Sequence, residues 1–396
     1  MRKQHLLLTL LSAYSIILFS CQNLPKESTA TYDIDLVETK KITLPVDENT
    51  YYMSRSIFQF EEDEREFLHF QNTEKRQYEI VIYDIDSSKI EKRIPMHKEG
   101  PNGVPVVMAS KPIAGSNHTL LFQSNVGRIT SFDQAGKVVR NYSIKSPEGR
   151  FMAFLPCSYF FTSPYIKDSV LFVAPKIGKP NMKKEDWPQT PMFFMLDLKT
   201  GDIDFAPINY PSIFKKDVKR LADGGSFSYD FNSEENRLVC SFVDYDSLMV
   251  VDSDYVVKWF NGKSRYIEIK EPRLIEVGEG LDGIIKMSEQ GHYFHVMYDK
   301  YRDVYYRFAE MPYELKSNES PLDDPQRREF SVIIFDKDFR IIGETKFPGN
   351  KYFIRMSFVG RDGLYISENN LANPEFDEDK LVFACFKLEK LNKKEQ

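Results

Sequence analysis

One short motif recurs along this chain and fixes most of what it can fold into. An apolar run of strand character ends in Asp, and polar turn residues follow. The motif reads Ile80-Val81-Ile82-Tyr83-Asp84, Ile129-Thr130-Ser131-Phe132-Asp133, Phe193-Phe194-Met195-Leu196-Asp197, Leu248-Met249-Val250-Val251-Asp252 and Val332-Ile333-Ile334-Phe335-Asp336. A further copy, Leu381-Val382-Phe383-Ala384-Cys385-Phe386, carries Lys387 where Asp is expected. Tight turns follow, such as Gln134-Ala135-Gly136-Lys137 and Lys199-Thr200-Gly201-Asp202. Asp and Gly there suit hairpins that need Asx turns and positive φ. Because the Asp belongs to nearly every copy, turn formation explains it better than catalysis.

Each copy has a strand upstream, at 66–70, 119–123, 169–174, 237–243, 303–308 and 363–367, and another strand candidate before that. Aromatic residues make up 14% of the chain, which favours pleated surfaces where such side chains pack well. A four-stranded meander repeated at this period predicts an all-β chain, a β-propeller of six blades with four antiparallel strands each; seven blades is the alternative. The last copy has only three strands, and 34–43 is a spare strand at the start. The expectation is that this N-terminal strand closes the ring inside the last blade, removing two exposed edges. The propeller is expected to span 32–391, with 392–396 a charged tail.

The N-terminus carries an address. Arg2 and Lys3 precede an apolar run from Leu6 to Phe19, shorter than the ~20 residues of a membrane span. Leu18-Phe19-Ser20-Cys21 follows. This resembles a bacterial lipobox, in which the Cys is acylated and becomes the new N-terminus; Phe19 departs from the usual residue there. The expectation is a signal peptide at 1–20, lipidation at Cys21 and a polar tether over 21–31. The formal charge is −6, with no long basic run, which argues against nucleic acid as a partner. Cys157, Cys240 and Cys385 lie in apolar runs and read as buried thiols; one disulfide with one free thiol is the alternative.

No assembled catalytic motif stands out, and no cofactor or metal site is expected. His292 and His295 face opposite sides of a strand, so they cannot easily share an ion. Asp252-Ser253-Asp254 and the Asp202/Asp204 pair read as hairpin turns rather than calcium loops, and Asp323-Asp324 and Glu61-Glu62-Asp63 as solvated turns. The aromatic set Tyr298, Tyr301, Tyr305 and Tyr306 reads as strand packing, with sugar stacking as its functional alternative. The segments 181–188 and 310–328 read as insertions, and 181–187 and 217–221 as single helical turns inside loops.

The weak ligand-binding candidates are polar or aromatic residues on the first strand of each repeat, where a propeller opens its central channel: Arg55, Tyr229, His295 and Arg355. Arg in an apolar strand needs a carboxylate, supplied by the protein itself or by an acidic ligand.

The lipobox, the Tyr/Phe-rich meanders and Lys98-Glu99-Gly100-Pro101-Asn102-Gly103-Val104 together resemble the six-bladed propeller lipoproteins of Bacteroides-type bacteria, many known only as domains of unknown function. The resemblance implies a lipid-anchored protein of the cell envelope and supplies no catalytic residue. No acidic cluster follows Cys21, which favours an outer-membrane protein facing the periplasm. The expected function is binding or scaffolding of a glycan, peptide or envelope protein. The alternative is a propeller hydrolase or lyase acting on sugars or lactones, possible with a metal held near His295.

Overall fold

The computed structural model describes residues 30–73, 78–123, 126–145, 164–175, 185–212, 227–269, 285, 288–316, 319 and 327–391. The signal peptide, Cys21, nearly all of the tether, Cys157, 181–184, 217–221, Asp323-Asp324 and the tail at 392–396 lie outside them.

The strands in chain order begin with β1 (Ile34–Pro45), β2 (Ile57–Glu62), β3 (Arg65–Asn72), β4 (Tyr78–Asp84) and β5 (Lys89–Met96). Next come β6 (Ala109–Pro112), β7 (His118–Gln123), β8 (Arg128–Asp133), β9 (Val138–Ser143), β10 (Tyr165–Lys167), β11 (Val170–Val173), β12 (Phe194–Asp197) and β13 (Ile203–Phe205). Then follow β14 (Phe227–Asn232), β15 (Arg237–Phe242), β16 (Ser247–Val251), β17 (Val257–Asn261), β18 (His292–Asp299), β19 (Val304–Glu310), β20 (Phe330–Asp336) and β21 (Ile341–Phe347). The last are β22 (Phe353–Gly360), β23 (Gly363–Ser367) and β24 (Lys380–Lys390).

The recurrent Asp is turn chemistry. Asp133 Oδ1 accepts the N–H groups of Ala135 and Lys137, both at 2.9 Å. Asp252 Oδ1 accepts from Asp254 and Val256, and Asp336 Oδ1 from Asp338 and Arg340. Asp197 does the same for Lys199 and Thr200, and Asp84 for Ser87. Each carboxylate thus closes the hairpin from the third to the fourth strand of its repeat.

Four sheets are four-stranded antiparallel meanders in the manner of propeller blades: β2–β5, β6–β9, β10–β13 and β14–β17. The remaining strands depart from expectation. They form one eight-stranded sheet in the order β18-β19-β20-β21-β1-β24-β23-β22, so neither the six separate blades nor the seven are present. The physical reason is β1. It pairs antiparallel with β24 from Ile34↔Lys390 to Pro45↔Lys380, but its start also pairs in parallel with β21 at Ile34↔Gly343. Leu36 N–H donates to Thr345 Oγ1 at 2.8 Å, Thr345 in turn donates to Asp35, and Thr31 N–H reaches Ile341 O at 3.0 Å. A Cβ on Gly343 would sit 2.1 Å from Ile34 O, so only glycine allows this approach. The spare N-terminal strand therefore joins two sets of strands instead of merely completing one.

The eight-stranded sheet curls until its end strands β18 and β22 meet, a nearly closed, barrel-like form. Its two halves enclose Met297, Tyr306, Phe308, Val332, Ile354, Leu364 and Phe386. Elsewhere the core lies between successive sheets. Ile80, Ile94, Leu121 and Phe132 fill the space between the first and second, and Phe193, Tyr229, Cys240 and Met249 that between the third and fourth. Cys240 and Cys385 are buried thiols inside strands. The fold is thus all-β and propeller-like, with its core dispersed among the sheet interfaces.

Candidate functional site

The first strands converge. β2 packs against β6 and β22, β22 against β18, and β18 against β14, while Tyr165 of β10 stacks on Phe231 of β14 at 4.4 Å. β14, β18 and β22 are mostly buried, β6 half so, and β2 and β10 mostly partly accessible; the partly accessible polar and aromatic side chains near their meeting point form the candidate site. Such positions are Phe58, Lys111, Asp230, Phe294 and Arg355. They stand where the first strands meet, the place of a propeller's central channel.

Two bulges aim side chains into it. The β18–β19 register shifts between Tyr293 and Val296, and the β22–β23 register shifts between Phe353 and Ser357. A bulge re-aims side chains from the regular alternation. Phe294 and Arg355 lie in these two irregularities, and the Arg355 guanidinium sits 4.7 Å from the Phe294 ring centroid. β14 seals the free edge of β18: Ser228 Oγ donates to Phe294 O at 2.7 Å and accepts Val296 N–H at 3.0 Å, and Asp230 Oδ2 accepts Tyr298 N–H at 2.8 Å.

Lys111 is the most unusual group in the channel. Its ammonium lies 4.2 Å from the Phe58 ring centroid. Among the described residues it donates no hydrogen bond and meets no carboxylate at ion-pair distance. Burial pulls it down to about 8, against the pull of Asp230. Asp230 is pushed up by burial, opposed by the N–H groups of Tyr298 and Phe231 and by Lys111. Beneath lies His69, whose Nε2 is 2.8 Å from Ser110 Oγ; burial first, then the Lys111 charge, holds it down to about 3.

A second polar set stands at the start of β18. His292 Nε2 is 3.0 Å from Glu310 Oε2, and Arg328 Nη1 lies 3.3 Å from His292 Nδ1. Burial would raise Glu310, but His292, Arg328 and Arg355 overcome it and hold its carboxyl below the usual range. Glu310 is thus the buried end of β19 rather than the first residue of a polar insertion.

The sequence candidates separate. Arg355 lines the channel, beside Phe294. His295 is buried against Phe308 at 5.9 Å between ring centroids, and burial holds it down to about 3. Tyr229 turns into the core against Phe193, its hydroxyl accepting Ala174 N–H at 3.4 Å. Arg55 stands exposed just before β2, between the buried Ser54 and Ser56. Tyr305 and Tyr306 are fully buried, Tyr298 packs against Tyr305 at 5.0 Å, and the Tyr301 hydroxyl accepts from Gln59 Nε2 at 2.9 Å. Sequence reasoning missed Phe58, Lys111 and Asp230. Asp230 was within reach, since it neighbours Tyr229 and period-2 alternation sends the two to different sides.

The sequence matches the profile of a domain of unknown function, DUF4221, over residues 33–346. A solved member of that family from Bacteroides vulgatus ATCC 8482 is 54% identical, with a TM-score of 0.88 over 91% of this chain and 100% of that one. A putative exported protein from Bacteroides fragilis NCTC 9343 shares the fold at 9% identity, with a TM-score of 0.53 over 92% of this chain and 98% of that one. No curated protein matches the sequence. With most of its length under the family profile and a close structural relative covered end to end, the chain belongs to the DUF4221 family.

Proposed function

We propose that this protein is a lipid-anchored binding module of the cell envelope whose central channel receives a ligand. The observation that carries the reading is the set of partly accessible, chemically diverse side chains on the converging first strands: Phe58, Lys111, Asp230, Phe294 and Arg355. A core position would hold only apolar groups at less cost, since desolvated charge is expensive. Aromatic faces beside single charges suit a small polar ligand, a peptide or a glycan. The lipobox-like start supports acylation of Cys21 and a periplasm-facing place at the outer membrane.

The test is a thermal-shift screen of the full chain in detergent against oligosaccharides, short peptides, amino acids and organic acids. A ligand at 100 times its Kd adds about 2.7 kcal/mol. The reading requires a hit whose shift falls in a Phe58→Ala or Arg355→Gln variant. A hit insensitive to both would place binding elsewhere and sink it. Metabolic labelling with a radioactive fatty acid tests the anchor; label retained in Cys21→Ala would refute acylation there.

A further inference from the structure

Lys111 and Asp230 carry opposite charges on two first strands, β6 and β14, and both are partly accessible from the channel. Each lies in the electrostatic field of the other, yet they stop short of ion-pair distance. Each therefore keeps capacity to bind. The Lys111 ammonium has three donors and, among the described residues, spends its charge only on the Phe58 face. The Asp230 carboxylate accepts one N–H on each oxygen, from Phe231 at 2.8 Å and Tyr298 at 2.8 Å. A carboxylate has about four lone-pair sites, so acceptor positions remain. Aromatic surface adjoins the Lys111 charge: the Phe58 ring lies beside its ammonium.

A lone anion would gain from Lys111 and lose against Asp230; a lone cation would meet the reverse. Only a ligand bearing both charges satisfies the two ends at once. Resting on the channel reading above, we infer that the channel binds a zwitterion, a free α-amino acid or a dipeptide, with its carboxylate on Lys111 and its ammonium on Asp230. The Phe58 face then takes the apolar part of that ligand. Such sites reject analogues lacking one end strongly, because a buried polar group is left unpaired.

The experiment is calorimetric titration of the full chain in detergent. The probes are the free amino acids and the dipeptides Gly-Gly and Phe-Gly, followed by the N-acetyl and amide derivatives of whichever binds most tightly. At least one free zwitterion should bind, and blocking either end should weaken binding tenfold or more. Lys111→Gln should lose binding of the free form. Asp230→Asn keeps one acceptor oxygen for either the Tyr298 or the Phe231 N–H and loses the other contact, so it should weaken binding with only a modest fall in melting point. The blocked-ligand series on the unsubstituted protein decides the matter even where a variant folds poorly. Equal affinity for blocked and free forms would overturn the inference, as would failure of every free amino acid and dipeptide. An oligosaccharide that binds and is lost in Lys111→Gln would overturn the zwitterion while leaving the channel reading standing. A ligand indifferent to Lys111, Asp230, Phe58 and Arg355 would remove both.

Discussion

The Arg307 guanidinium lies 3.5 Å from the centroid of the Tyr293 ring, fully buried where β19 meets the loops of the fourth sheet. Among the described residues no carboxylate is hydrogen-bonded to it. Instead it donates to the carbonyls of Phe242, Tyr245, Asp246 and Gly262 and to Ser241 Oγ. Burial pulls it down to about 10, against Tyr293 and Asp246, so it stays charged at neutral pH. One side chain thus fixes the β15–β16 turn and the end of β17 to the eight-stranded sheet. Replacing it with Met leaves those acceptors buried and unpartnered, at about 1–3 kcal/mol each where water cannot reach them. Arg307→Met should lower the unfolding free energy by roughly 3 kcal/mol or more, read as a fall in the urea midpoint. A midpoint within error of the parent would show that the cage is dispensable.

Gly343 makes a second, independent test of the architecture. Its Cβ would strike Ile34 O, the carbonyl through which β1 reaches β21. Gly343→Ala must therefore push β1 away from β21 while leaving the long β1–β24 ladder in place. Hydrogen exchange should accelerate at residues 31–36 and 341–345, with 380–390 much less affected, and stability should fall by about 1–3 kcal/mol. Uniform exchange rates in parent and variant would mean that the seam contributes nothing.

The repeat was legible because its cause is local. Third strands such as 80–84 and 332–336 are continuous apolar runs closed by an Asx turn, and both signals lie within a few residues. The merging of strands was not legible, because the seam around Ile34↔Gly343 joins positions far apart in sequence and leaves no periodic trace. First strands were the weakest signal. β6 has only Ala109-Ser110-Lys111-Pro112, too short and too polar for a period to show. Arg355 was found because an Arg between Ile354 and Met356 is conspicuous. Tyr229 was chosen over Asp230 because nothing in the sequence says which side of β14 faces the core.

Two buried imidazoles set an acid limit. Burial holds His69 and His295 down to about 3, from an ordinary value of 6.5. Above pH 6.5 neither state takes a proton and the two contribute no pH dependence. Between 6.5 and about 3 the unfolded chain binds protons that the folded one refuses, so stability falls as pH drops. The slope is up to about 1.4 kcal/mol per pH unit for each histidine. His69→Phe or His295→Phe should flatten the midpoint–pH curve below 6.5, whatever its effect at pH 8. An unchanged slope in both variants would mean that the imidazoles are protonated in the fold.

Lys111 gives the same sign in a higher pH window. Its folded value of about 8 lies below the ordinary 10.5, with burial the cause and Asp230 and His69 the titratable groups that share its field. Below pH 8 both states hold the proton, and the fold bears the full cost of a desolvated ammonium. From 8 to 10.5 the folded protein sheds the proton first, so this contribution to stability rises with pH. A charge retained at such a cost is consistent with the binding role proposed for Lys111. Lys111→Met should therefore be more stable than the parent, by about 0.5–2 kcal/mol at pH 7, the usual yield of removing a functionally retained liability. That gain should shrink as pH climbs toward 10.5. Guanidinium midpoints of the two proteins at pH 7 and pH 10 decide it. A variant less stable than the parent at pH 7 would show that the Phe58 contact holds the fold together, and that Lys111 is a structural residue.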